Sequence, residues 1–297
     1  MRVVVTGGAG FIGRPVVRRL REAGHEVTVL DVRAAGNGDF RVDVLDYHDV
    51  HGALTGADVV YHLAGPVLDM SRRDPYNSSR LQFQGTLNIL EASIAEKLSK
   101  VIVASSFYVY DGIPPDDIVN EYSPINSSKM ELFGALKVMA EQLTLAYHRR
   151  FGLPYVILRF GSAFGAGEGS NLIQTFFEAG LRGETLEVWG PGERLNQYTY
   201  IEDLASGCVG ALEAENEIVN LISPEEVSTG EVARLMGERY GFETRFLVDK
   251  PEGASVPYMS SRKAVRQLGW EPTPLVEALD RLNSELRERR STGRLAS

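Results

Sequence analysis

The chain has 297 residues, a formal net charge of −9 and 43% hydrophobic side chains. That is the composition of a globular protein with a large core, and its negative balance argues against a general electrostatic grip on nucleic acid or an anionic membrane. The single cysteine, Cys208, excludes an intrachain disulfide and a thiolate metal cluster, and no apolar run approaches the ~20 residues of a membrane span.

Met1-Arg2 leads directly into Val3-Val4-Val5, which reads as a first strand rather than a signal peptide and sets the expectation of a soluble, cytoplasmic protein. The turn Thr6-Gly7-Gly8-Ala9-Gly10-Phe11-Ile12-Gly13 follows, opening a helix predicted over 12–23. Glycines at 7, 10 and 13 let backbone approach a pyrophosphate, and the first amides of the helix then point at negative charge. A second strand, 26–31, ends on Asp31, a carboxylate placed to accept from both ribose hydroxyls of NAD. Arg33 nearby could instead accommodate the extra phosphate of NADP, and NAD is the preferred reading. Asp43-Val44 comes next, with Asp43 a candidate acceptor for an adenine amino group.

The third strand, 59–63, closes on His62-Leu63-Ala64-Gly65, whose small residues suit a dinucleotide lying close to backbone. His62, among apolar neighbours, reads as a structural histidine. A helix over 84–96, a strand over 100–105, a long helix over 131–151 and a strand over 155–160 complete the first half, with Gly152-Leu153-Pro154 as a stop signal. The strand runs are β-branched and nearly continuous, as strands buried on both faces are. Strand–helix alternation predicts an α/β fold: a Rossmann-type doubly wound parallel sheet over 1–165, a smaller α/β substrate-binding domain over 166–286 with some strands returning to the first, and a flexible tail over 287–297.

These pieces together resemble the extended short-chain dehydrogenase/reductase family, in particular its NAD-dependent sugar epimerases and dehydratases. The matching segments are 6–13, Asp31, Asp43-Val44, 62–65, Gly85-Thr86, Ser105-Ser106, Val109-Tyr110, Lys137 with Glu141, Leu158-Arg159-Phe160, Tyr200-Ile201-Glu202-Asp203 and Leu268-Gly269-Trp270-x-Pro272. The resemblance implies tightly bound NAD, transient hydride transfer on an activated, nucleotide-linked sugar, and a homodimer formed through helices 84–96 and 135–150. It assigns cofactor contacts to Gly7, Gly10, Phe11, Ile12, Gly13, Asp31, Arg33, Asp43, Val44, Leu63, Ala64, Gly65, Ser105, Lys137 and Phe160. Ser106 matches the family's catalytic hydroxyl and Lys137 the lysine that contacts the nicotinamide ribose and lowers the pKa of a catalytic tyrosine.

That tyrosine is missing. Glu141 and Arg159 hold the register of Lys137, so the tyrosine position is occupied by Phe133; the rival register at Ser127-Ser128-Lys129 puts Ile125 there and restores no phenol. Three readings stay open: an engineered Tyr→Phe exchange, a natural departure in which Tyr108 does the proton work, and a non-catalytic NAD-binding regulatory protein. On the substrate side, the positions where sugar-nucleotide members carry diphosphate-binding arginines read Asn196 and 254–258. Arg194 is a substitute two residues away, and Ser106, Tyr108, Ser162 and Asn171 are further candidate contacts. The departures leave a net dehydrogenase or reductase acting on an alcohol without a diphosphate as the alternative enzyme.

Overall fold

The computed structural model describes residues 1–34, 39–126, 128–167 and 171–292. Six parallel strands form the central sheet: β1 (Arg2–Thr6), β2 (Glu26–Leu30), β3 (Val59–His62), β4 (Lys100–Ser106), β5 (Tyr155–Phe160) and β6 (Glu217–Leu221), in the order β2-β1-β3-β4-β5-β6. Phe40 extends the β2 edge by a single parallel bridge to Leu30. Residues Val59 to His62 and Lys100 to Ser106 are buried throughout, which is why these strands lack apolar–polar alternation.

Helices cover both faces: α1 (Gly13–Glu22), α2 (Tyr47–Leu54), α3 (Leu68–Arg73), α4 (Pro75–Ala95), α5 (Leu132–Phe151), α6 (Leu172–Arg182), α7 (Ile201–Gly210), α8 (Thr229–Tyr240), α9 (Arg262–Leu268) and α10 (Leu275–Ser291). On one face, Val16, Val17 and Leu20 of α1 join Val3, Val5 and Val29 of the sheet in one core cluster, each buried side chain stabilising by about 1.5–3 kcal/mol. On the other, Ile89 and Leu90 of α4 pack with Val4, Val60 and Val101.

Two boundaries differ from expectation, the start of α4 and the end of α10. α4 begins at Pro75, well before residue 84, because Asp74 accepts from the Asn77 amide (3.1 Å) and proline is pre-organised at the first helical position. The polar run after it hid the helix. The strand from the second segment that returns to the sheet is β6, which pairs with β5 in register, Glu217 opposite Val156 and Leu221 opposite Phe160. The tail is ordered further than predicted, since α10 continues to Ser291, with Arg287 donating to Asn283 one turn back (3.0 Å). The smaller layer is built from segments on both sides of β6, where Leu186–Trp189 pairs with Thr244–Leu247. Among the described residues, no helix is long and apolar enough to cross a membrane.

Candidate active site

β2 lies on one side of β1 and β3 on the other, so the connections leaving the carboxyl ends of β1 and β3 diverge and open a crevice, the position where open α/β sheets bind ligands. The glycine turn forms its floor. Gly7 has φ +69°, and a Cβ there would sit 2.7 Å from the Ala64 amide nitrogen. A Cβ on Gly13 would collide with the Gly7 carbonyl, whereas one on Gly10 would meet only Gly7 O at 3.0 Å and Arg33 Nη2 at 3.8 Å. Gly7 and Gly13 therefore pack the turn, while Gly10 keeps its outer side open to a ligand. α1 starts without a side-chain cap and without an acidic residue in its first turn, leaving its positive dipole end for an anion.

Asp31 stands at the rim. Its Oδ2 accepts from the Ala9 amide (3.1 Å) and its Oδ1 from the Arg33 amide (2.9 Å), with the Arg33 guanidinium 3.7 Å away. The carboxylate is thus tied to the glycine turn itself. Asp43 is exposed and accepts from Leu45 N (3.0 Å), while Val44 is buried against the helix side, where a Cβ on Gly85 would lie 2.9 Å from Val44 Cγ2. Phe11 covers Gly167, whose Cβ would lie 3.0 Å from the ring, and Ile12 packs against the core beside it. These residues fit a dinucleotide: open backbone at Gly10, a helix start with no capping side chain, and an oriented carboxylate.

His62 is a structural histidine. The Thr6 hydroxyl accepts from Ala64 N (3.2 Å) and lies 3.0 Å from His62 Nδ1; His62 Nε2 lies 3.2 Å from Thr86 Oγ1. Burial, with the nearby Lys137 charge adding to it, pushes the imidazole down to about 3, so it is neutral. Gln82 Nε2 donates to the same Thr86 hydroxyl (3.2 Å), and Gln82 Oε1 is buried without a partner. Leu63, Ala64 and Gly65 run from this cluster along the crevice, and a Cβ on Gly65 would lie 3.2 Å from Gln82 Oε1 and 3.4 Å from Lys137 Nζ. Gln82 escaped the sequence reading; its signal was the i,i+4 spacing to Thr86 on a face that meets the glycine-lined strand end.

At the end of β4, Ser105 and Ser106 point to opposite sides of the sheet. Ser105 Oγ donates to Glu141 Oε1 (2.5 Å), so its hydroxyl is committed away from the crevice. Ser106 pairs with Phe160 across the strands, and its Oγ caps the following turn by accepting from Tyr108 N (3.3 Å). α5 delivers Phe133 and Lys137 one turn apart, both buried, with Lys137 Nζ 5.6 Å from the Phe133 ring centroid. Lys137 Nζ donates to Ala104 O at 3.4 Å. Burial lowers the ammonium to about 8, opposed by the Glu141 charge.

The structure changes the reading of Tyr108. Its ring meets Phe133 edge-on, with centroids 5.3 Å apart at 83°. Burial pushes its phenol up, and the charges acting on it come from Arg72, Glu131, Arg194 and Asp111. Lys137 is not among those charges, and the upward shift moves the phenol away from neutrality.

Behind the site, Arg159 donates Nε to Glu141 Oε1 (2.9 Å), Nη2 to Glu141 Oε2 (2.7 Å) and Nη1 to Tyr110 OH (2.8 Å); Tyr110 OH in turn donates to Asn220 Oδ1 (2.9 Å). This buried network joins α5, β5, β6 and the turn after β4, fixing the pitch of the helix that carries Lys137.

Several expected substrate contacts have other work. Asn171 caps α6, its Oδ1 accepting from Gln174 N (3.0 Å) while its Nδ2 donates to Ala163 O. Asn196 is buried and turned back on Gln197 N (2.9 Å). Ser162 lies in a short strand opposite Tyr198. Ser127, from the rejected register, lies outside the described residues. Arg194, by contrast, lines a cleft of about 800 Å³ together with Leu172, Phe176, Arg182, Trp189 and Arg245. Arg182 and Arg245 are paired there with Glu184 and Glu187. Arg194 Nε donates to Ala254 O (3.0 Å), and its charge acts on the Tyr108 phenol.

Residues 3–222 match the family model described as the NAD dependent epimerase/dehydratase family. The chain is 30% identical to a putative UDP-glucose 4-epimerase of Methanocaldococcus jannaschii, covering 91% of this chain and 93% of that protein. Among solved structures it resembles the UDP-glucose 4-epimerase of Thermotoga maritima with UDP-glucose (TM-score 0.87, 27% identity, 97% of this chain and 99% of that one). It resembles equally the UDP-glucuronic acid 4-epimerase of Bacillus cereus with UDP-glucuronic acid and NAD (TM-score 0.85, 26% identity, 97% and 99%).

Proposed function

The chain belongs to the NAD dependent epimerase/dehydratase family, and from that premise we propose that it binds NAD in the crevice and acts on a nucleotide-linked sugar by transient oxidation at one carbinol carbon. The observation that carries this reading is the crevice itself, where Gly7 packs on Ala64, Asp31 is tied to the glycine turn, and Gly65 lies beside Lys137.

When bound, NAD supplies a reversible two-electron oxidant. The residues do the rest. Gly7, Gly10, Gly13 and the first amides of α1 receive the pyrophosphate, and Asp31 accepts from a ribose. Val44, Leu63, Ala64, Gly65 and Phe160 bound the slot. Ser106 offers a hydroxyl to the reacting oxygen, Phe133 and Tyr108 wall it from water, and Arg194 gives the nucleotide diphosphate a cation. That guanidinium favours a diphosphate substrate over the alternative of a simple alcohol, since charge-assisted contacts are the strong ones for phosphate. We assign the homodimer contact to the outer faces of α4 and α5, where Tyr76, Phe83 and Phe151 are exposed; light scattering of the purified chain tests that assignment.

Denaturing the purified protein and weighing the released nucleotide tests the cofactor. Incubation with UDP-glucose and UDP-glucuronic acid, read by NMR, tests the reaction. The expected result is NAD carried through purification and a changed sugar without net NADH. Stoichiometric NADH release would instead favour the dehydrogenase, and absence of NAD would sink both.

A further inference from the structure

We propose that Glu252 is a built-in competitor for the anion of the substrate: its carboxylate holds a strap, residues 250–256, across the arginine-lined cleft, and a nucleoside diphosphate binds there by displacing it. The inference rests on the reading of the substrate as nucleotide-linked, and it adds what selects such a substrate at the cleft.

The strap follows the strand Thr244–Leu247 and leads into Tyr258–Met259, which pairs with Ile118–Val119. Between them, residues 251–257 form neither helix nor strand. Pro251, Glu252 and Gly253 line the cleft together with Arg194 and Trp189. The hydrogen bonds of the strap converge on one short loop. Glu252 Oε2 accepts from Glu193 N (3.1 Å) and its Oε1 from Arg194 N (2.8 Å). Ala254 O accepts from Arg194 Nε (3.0 Å), Ser255 Oγ accepts from Leu195 N (2.9 Å), and Val256 N donates to Leu195 O (3.4 Å). Among the described residues, those of 251–256 bond to no other segment. The loop itself is fixed from behind. At the start of α8, Gly230 N donates to Gly192 O (2.8 Å) and Thr229 N to Arg194 O (2.9 Å), while Leu195 and Asn196 pair with Ser228 and Val227. The strap is therefore the side that can lift.

The latch engages the kinds of group that bind phosphate. Adjacent backbone amides and a guanidinium are strong donors to an oxyanion, and here the amides hold a carboxylate and Arg194 holds a carbonyl of the same strap. The other two arginines of the cleft are spent on ion pairs, Arg182 with Glu184 (2.8 Å) and Arg245 with Glu187 (2.6 Å), whereas Arg194 has no carboxylate partner among the described residues. A diphosphate thus has one corner to enter, and Glu252 already fills its donors. Binding exchanges one anion for another: phosphate oxygens accept from Glu193 N, Arg194 N and the Arg194 guanidinium, and the Glu252 carboxylate passes to water. A neutral nucleoside brings no acceptor of that strength and leaves the latch shut.

The test titrates the full chain with UDP and with uridine and follows the emission of Trp189. That ring lines the cleft half-exposed, with Lys250 Nζ of the strap 4.6 Å from its centroid; Trp270, the only other tryptophan, is buried, and loss of the signal in Trp189→Phe assigns it. The expected result is a UDP dissociation constant about tenfold lower in Glu252→Gln and in Glu252→Ala, the size of one charge-assisted hydrogen bond no longer competed for, with uridine binding unchanged. Urea midpoints check that both variants fold. Weaker UDP binding in both variants makes Glu252 a support of the cleft and overturns the proposal. Unchanged UDP binding, or an equal tightening toward uridine, overturns it as well, and each of these outcomes leaves the proposed function intact. Absence of UDP binding in the parent chain and both variants sinks the inference together with the nucleotide-linked substrate, while the NAD released on denaturation still judges the crevice.

Discussion

Burial acts on His62 and Lys137 in the same direction, yet with different consequences. Both lose protons more readily than in water because the charged form is desolvated. For His62 the folded value lies below the unfolded one of about 6.5, so the unfolded chain binds more protons between those values. Stability contributed by the neutral imidazole is present above pH 6.5 and is lost as pH falls toward 3, by about 1.4 kcal/mol per unit. Urea midpoints measured at pH 7 and pH 5 are expected to differ less in His62→Gln than in the parent chain; an equal drop would mean His62 is not held neutral. Gly7 poses a steric question instead. Its φ of +69° and the 2.7 Å approach to Ala64 N leave no room for a side chain. Gly7→Ala is expected to cost at least about 1–2 kcal/mol from the left-handed backbone alone, read as a lower urea midpoint, together with loss of retained NAD.

At the scale of elements, the chain's punctuation is local and its docking is not. Asn171, expected at the substrate, is the N-cap of α6. Asn171→Ala is expected to lower stability by about 1 kcal/mol while leaving the KM for nucleotide sugar within a factor of about two, the size of ordinary surface substitutions; a large rise in KM would restore it as a substrate contact. The two motifs Tyr200-Ile201-Glu202-Asp203 and Leu268-Gly269-Trp270 were legible separately, and the fold shows why they occur together. Trp270 Nε1 donates to Asp203 O (2.7 Å), and Thr273 donates to the Asp203 carboxylate through its amide and hydroxyl (2.8 Å each). Glu202 meanwhile reaches Arg19 on α1 (3.1 Å). The segment pins α7 to both the sheet layer and the C-terminal elements. Asp203→Ala, which strands buried donors, is expected to destabilise by about 1–3 kcal/mol in urea unfolding without changing which sugar is turned over. The strands of the sheet were readable because burial on both faces makes them continuous β-branched runs; the start of α4 was not, because its first turn is polar and its signal is the Asp74-Pro75 cap.

The whole molecule holds a glycine-floored crevice and an arginine-lined cleft, with Arg194 on the wall of the cleft. Arg194→Ala is expected to raise the KM for a UDP-sugar about tenfold or more, the size of a lost charge-assisted hydrogen bond, with kcat less affected and NAD retention unchanged; steady-state kinetics decides it, and an unaltered KM removes Arg194 from the diphosphate site. From the sequence alone came the parallel sheet, the glycine turn with Asp31, and the register that puts Phe133 in place of a phenol. Each of these is written in short-range spacing, because strand burial, tight turns and helical periodicity are local constraints. Only the tertiary structure shows that the charges acting on Tyr108 are those of Arg72, Glu131, Arg194 and Asp111, that Asn171 caps α6 while Asn196 turns back on Gln197, and that the Gln82 oxygen and the Lys137 amine both lie close to Gly65. Those outcomes depend on burial and on charges brought together from distant parts of the chain, which set a group's protonation and partners and which no local pattern encodes.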